Sequence, residues 1–189
     1  MQLCDENTME QLVAALQSND AGELQLVDDQ LKKFPEDPRL HFMRGSLLAA
    51  RKQPVAAHQA LSRAVELAPD YHIARYQLGF FQLTSGEVDA ALATWGPLHR
   101  LPEQHYLRIF IEGMIHLVRD EFEPAIARFQ EGMRQNDENE PLNADIRLLK
   151  AECEKLAMKA GHGGDTEDEA GLSATSLLLG GFSGRDTKH

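Results

Sequence analysis

Cysteine is scarce in this sequence, with Cys4 and Cys153 the only two in 189 residues. They are too few and too far apart to define a disulfide framework, and neither has a nearby cysteine or histidine to suggest a zinc knuckle or redox pair. A reducing, cytoplasmic setting fits such usage. No stretch reaches the roughly 18 apolar residues that a membrane-spanning helix needs, so no membrane insertion is expected. The opening residues Met1-Gln2-Leu3-Cys4-Asp5-Glu6 carry neither the positive charge nor the apolar run of a secretory signal.

Positive charge is also lacking. The net charge is -11, and it is concentrated at the ends. Residues 1–37 hold nine acids against Lys32 and Lys33, residues 38–137 balance eleven acids with eleven bases, and the remainder holds ten acids against six bases. Nucleic acid is therefore not an expected partner, because phosphate recognition needs a concentrated basic surface. Catalytic chemistry has no foothold either. The eight histidines form no His-Glu-x-x-His and no His-x3-His, and Gly161-His162-Gly163-Gly164 lacks the strand before it and the Lys-Ser or Lys-Thr after it that a phosphate loop requires. The sequence thus points to no enzyme activity, no catalytic residue, no metal site and no cofactor.

What is present is a ruler of 34 residues. Gly45, Gly79 and Gly113 fall in register, as do Ala57, Ala91 and Ala125, and four residues after each alanine stands Leu61, Trp95 or Phe129. A glycine on one helix and an alanine on the next let two antiparallel backbones approach closely, while the bulky residue one turn later fills the groove beside them. Three such units in phase predict a repeated helix-turn-helix.

On Leu78-Gly79, Ala91-x3-Trp95 and Ala125-x3-Phe129, with Pro69 closing the first unit, the chain resembles the tetratricopeptide repeat (TPR) family. The resemblance implies an all-α helical solenoid whose antiparallel helix pairs stack in a right-handed superhelix. With glycine at position eight, the repeats run Pro38 to Tyr71, His72 to His105 and Tyr106 to Asn139, so that residues 38–139 form the repeat domain. The family's aromatic at position four is replaced by His41, Arg75 and Ile109, and its tyrosine at position eleven by Leu48, Gln82 and His116. Position 27 reads Ala64, Leu98 and Gly132.

Residues 1–37 are expected to form an N-terminal helix pair, a degenerate repeat or a cap. Its first helix would be capped by Asn7 or Thr8 and bury Leu12, Val13 and Leu16; Ser18-Asn19-Asp20 would be the turn; the second helix would bury Leu24, Val27 and Leu31 and run to about Phe34. Residues 140–160 predict a C-terminal capping helix with Leu142, Ile146, Leu149 and Cys153 on one stripe, a polar outer face being what keeps a stack of repeats soluble. Beyond it, residues 161–189 read as a flexible tail with an apolar island at 172–182. Pro54 and Pro124 suit the start of second helices, whereas Pro97 after Gly96 should kink or end its helix early.

In the TPR family, positions 2, 5, 9, 12 and 13 of each first helix face a concave groove. The resemblance therefore implies a partner-binding groove containing Arg39 and Phe42, then Ile73, Tyr76 and Phe80, then Leu107, Phe110 and Met114. Only Arg39 matches the basic and polar clamp with which some members hold a peptide carboxylate, so the expected occupant is an apolar or amphipathic segment of a partner protein. Leu177, Leu178, Leu179 and Phe182 in the tail could act as an internal ligand or drive self-association. The expected function is a non-enzymatic adaptor or scaffold. The alternative is a small acidic TPR chaperone for a secreted or aggregation-prone client.

Overall fold

A computed structural model describes residues 3–17 and 22–162. The expected turn Ser18-Asn19-Asp20 and the tail residues Leu177, Leu178, Leu179 and Phe182 lie outside the described residues. Within them the chain is all helical: α1 Glu6–Gln17, α2 Glu23–Lys33, α3 Pro38–Ala50, α4 Pro54–Leu67, α5 His72–Thr84, α6 Val88–Trp95, α7 Tyr106–Val118, α8 Phe122–Gln135 and α9 Glu140–His162. The chain forms two compact units, Met1–Phe81 and Gln82–His189, with the boundary inside α5. In the first, α1 packs on α2, α2 on α3 and α3 on α4; in the second, α7 packs on α8 and α8 on α9.

The 34-residue period reappears in the backbone itself. Lys52, Gly86 and Asp120, at the turns after α3, α5 and α7, all have positive φ, at 56°, 84° and 58°. The turns are closed by matching bonds: the Lys52, Gly86 and Asp120 amides donate to Ala49, Leu83 and Leu117, each at 3.0 Å. The next amides, of Gln53, Glu87 and Glu121, donate to Leu48, Gln82 and His116 at 3.0, 2.9 and 3.0 Å. Reversal through a left-handed residue satisfies carbonyls that a helix end would otherwise leave open. The turns between units of the period match too. Asp37, Tyr71 and His105 donate backbone N–H bonds to Phe34, Ala68 and Pro102, and one period later the Asn139 amide instead donates to the side-chain Oδ1 of Asn136 at 3.0 Å.

Close helix approach explains the glycines. A Cβ on Gly45 would lie 2.6 Å from Leu61 Cγ, and one on Gly113 would lie 2.6 Å from Phe129 Cε1. Leu61 and Phe129 are fully buried, so the bulky side chains lie directly over the glycines and not merely beside them. Gly132 is under the same constraint, since its Cβ would meet Phe110 Cε1 at 2.3 Å.

The missing aromatic at position four has a substitute. His41 Nε2 lies 2.8 Å from the Pro35 carbonyl, and Arg75 Nη2 donates to the Pro69 carbonyl at 3.1 Å. These donor positions are one period apart, and so are their acceptors. Ile109, third in the series, is buried instead.

Pro97 ends α6 as expected: the helix stops at Trp95 and Gly96–Arg100 tightens into a 3₁₀ turn. On α9, Leu142, Ile146, Leu149 and Cys153 are buried along one stripe. Two expectations for α1 are corrected. Its cap is Asp5, whose carboxylate accepts from the Thr8 amide at 2.9 Å and the Thr8 hydroxyl at 2.8 Å. Leu12 is buried, but Val13 is 43% exposed.

Replacing Gly113 or Gly132 by alanine forces a methyl group into a phenylalanine ring. Each substitution should cost about 1–3 kcal/mol. Thermal unfolding should show a Tm lower by about 2–4 °C for each kcal/mol lost.

Candidate functional site

The eight expected groove residues are not equally exposed. Tyr76 is 1% exposed, Leu107 1%, and Phe110 and Met114 0%, so these four are core side chains. For Phe110 the reason is visible: glycine at position 132 leaves a hollow that the ring fills, with Tyr106 edge-on at 6.0 Å. Tyr76 lies nearly parallel to Phe80, at a centroid distance of 6.4 Å. Phe42, Ile73 and Phe80 are half-buried. Phe42 turns toward the loop after α4, meeting Tyr71 edge-on at 5.5 Å.

Arg39 is engaged by its own chain. Its Nε donates to Asp37 Oδ1 at 3.1 Å and its Nη2 to Asp37 Oδ2 at 2.8 Å. Nη2 also reaches the Cys4 carbonyl at 2.6 Å, and Nη1 lies 3.3 Å from Glu6 Oε2. Asp37 is wholly buried. It caps α3 by accepting from the Arg39 amide at 3.0 Å and takes the Cys4 amide at 2.8 Å. Burial alone would raise the Asp37 pKa. The bonds from the Arg39 side chain and from the Cys4 and Arg39 amides outweigh it, and the carboxyl is held below the ordinary carboxylate value. The same pairing raises the Arg39 pKa.

This network fixes the start of α1 against α3, and between the two helices lies a groove of about 440 Å³. Met9 and Met43, both buried, form its floor with the exposed Val13 and Ala14 beside them; Tyr71 closes one side; Glu6 and Glu10 stand at the edge with Arg39. Burial pushes the Tyr71 hydroxyl above its ordinary pKa. The groove therefore combines an apolar floor with an acidic edge inside the first unit. Of the residues expected from sequence only Arg39 lines it. The signal for the rest was the α1 pattern Glu6, Met9, Glu10, Val13, which the reading of Val13 as core concealed.

The second unit has a hollow of about 630 Å³ beside α7 and α8, with His116, Arg128, Glu131 and Arg134 around it. Its charges are matched locally: His116 Nδ1 lies 2.5 Å from Glu121, Arg128 Nε 3.6 Å from Glu112, and Arg134 pairs with Glu131. Among the described residues no group of three His, Cys, Asp or Glu side chains could hold a metal ion, and no helix is long and apolar enough to cross a membrane. Both cysteines are free and buried. Burial pushes the Cys153 thiol up to about 12 and also raises Cys4, where the Asp5 and Asp37 carboxylates add to the effect.

No protein-family model matches this sequence, and no curated protein matches it. Solved structures do. MamA 41-end from Desulfovibrio magneticus RS-1 superimposes with a TM-score of 0.55 at 15% identity, over 85% of this chain and 97% of that one. The MamA RS-1 ArsTM double mutant gives 0.54 at 13% identity, over 94% and 93% of the two chains. The shared feature is the fold, a TPR-type helical solenoid.

The Asp37 network makes a two-part prediction. Asp37→Ala should cost on the order of 2–3 kcal/mol in chemical denaturation, because an arginine and a buried amide lose their acceptor. The variant should also let Cys4, but not Cys153, react with a maleimide. Because the folded pKa of Asp37 is depressed, its contribution is complete above the ordinary carboxylate value of about 4 and disappears as the pH falls through the lower folded value. Acid titration of wild type against Asp37→Ala should show the two stabilities converging only at low pH.

Proposed function

We propose that this chain is a non-enzymatic protein-interaction module that seats a helical segment of a partner between α1 and α3. TPR-type folds serve as protein-interaction scaffolds, which supports the class. The observation that carries the reading is the groove of the first unit, with its floor of Met9 and Met43 and its edge of Glu6 and Glu10. Methionine floors adapt to partner side chains of different shape. The segment that fits presents apolar residues at i and i+4 on one helical face, with lysine or arginine flanking them. Phe42 does not line this groove; its ring packs edge-on against Tyr71, which does. Tyr76, Leu107, Phe110 and Met114 are buried and are not part of this surface.

A display library of helical peptides, selected against the full chain, tests the charge and the pattern together. Selected sequences should carry basic residues around an apolar i, i+4 pair. Glu6→Lys with Glu10→Lys should weaken the best peptide about tenfold or more, equivalent to 1.4 kcal/mol. Val13→Lys should weaken it similarly, with the circular dichroism spectrum unchanged. Selection of acidic peptides, or affinity indifferent to the charge reversal, would overturn the proposal.

A further inference from the structure

The outer face of α9 carries a second, independent pattern. Opposite the buried stripe of Leu142, Ile146, Leu149 and Cys153, the residues Ala144, Leu148, Ala151, Lys155 and Met158 follow one another at alternating spacings of four and three. That is the spacing of a seam that receives another helix. Leu148 is 44% exposed and Met158 67% exposed, while the two alanines leave room for close approach. A terminal helix needs only a polar outer face to end a stack, and this one is polar only in part.

We propose that residues 172–182 of the same chain cover this seam, lying back along α9. The length of chain beyond the helix fits. Residues 163–171 can span up to about 30 Å when extended, and the distance from His162 back to Leu148 is about 21 Å along the helix. The apolar island can therefore lie beside any level between Met158 and Leu148. The charges fit as well. The connecting stretch holds Asp165, Glu167, Asp168 and Glu169, and no residue from 170 to 184 is charged. The seam carries Lys155, whose side chain is 64% exposed while pairing with Glu152 at 2.6 Å, and Lys159 stands next to it on the helix surface.

A second copy is the competing occupant, and charge disfavours it. Two α9 helices running antiparallel about Ala151 would set Lys155 opposite Arg147, and two running parallel would set Lys155 opposite its equivalent. Like charges at a seam discriminate against pairing. The island brings no charge to the seam, and its acidic lead-in approaches the lysines. This assignment stands apart from the α1–α3 groove and does not depend on what that groove holds.

The test places a cysteine at Leu148 in the full chain, in a chain ending at His162, and in a full chain with Leu177, Leu178 and Leu179 all changed to serine. Cys4 and Cys153 are buried and serve as slow-reacting internal references. Maleimide labelling of Leu148→Cys should be slower in the full chain by about tenfold than in either comparison chain. A full chain carrying Met158→Cys and Leu178→Cys should form its disulfide within the monomer under mild oxidation. Equal labelling rates in all three chains would overturn the proposal. So would protection that survives the triple serine change, or a cross-link found only between chains.

Discussion

The register of the helices that follow α3, α5 and α7 depends on how the backbone reverses. At Lys52, Gly86 and Asp120 the chain takes a left-handed residue and closes the turn with two amide bonds. That geometry fixes the length of the turn, and with it the register in which the next helix meets the previous one. Only one of the three positions is glycine. Lysine and aspartate accept a conformation that costs an L-residue roughly 1–2 kcal/mol, so the bonds and the helix packing must offset the strain. Once the register is set, Gly45 must face Leu61 and Gly113 must face Phe129. The glycines follow from the turn.

The same logic explains why the departures from the family pattern are tolerated. At position four His41 and Arg75 reach the carbonyls of Pro35 and Pro69, the same hydrogen bond at the same place in consecutive repeats. The third unit buries Ile109 instead. Asn136 is a similar exchange, its side chain supplying the acceptor where Phe34, Ala68 and Pro102 use backbone carbonyls. A repeat of this kind conserves the position of a contact more strictly than its chemistry.

That distinction decides how much the sequence could reveal. Glycine, alanine and proline report backbone constraints, so the helix pairs, the early end of α6 at Trp95 and the buried stripe of α9 were legible. The exposure of the side chains assigned to the groove was not. Position five is Phe42 in one unit and Phe110 in another, yet Phe42 is half-buried against Tyr71 while Phe110 is fully buried over Gly132. Family geometry assigns the two residues the same direction and cannot anticipate a glycine on the neighbouring helix. Val13 fails for a related reason: an i, i+1, i+4 pattern leaves open which of two adjacent apolar residues is buried, and the chain buried Leu12. The proposed groove was hidden in that choice.

Asp37 joins these strands. It occupies the same place in the period as Tyr71 and His105, donating its own amide to Phe34 just as they donate to Ala68 and Pro102. It also caps α3 and gathers both Arg39 and the Cys4 amide on one carboxylate. A buried carboxylate is tolerated only when its lone pairs are met, and here the partners that meet them come from the segment before α1 and from α3. The requirement to satisfy one charge therefore positions α1, and α1 is one wall of the groove. Tyrosine or histidine at this place would keep the repeat but lose the staple. The groove thus depends on a residue that neither lines it nor falls on the 34-residue pattern of small residues.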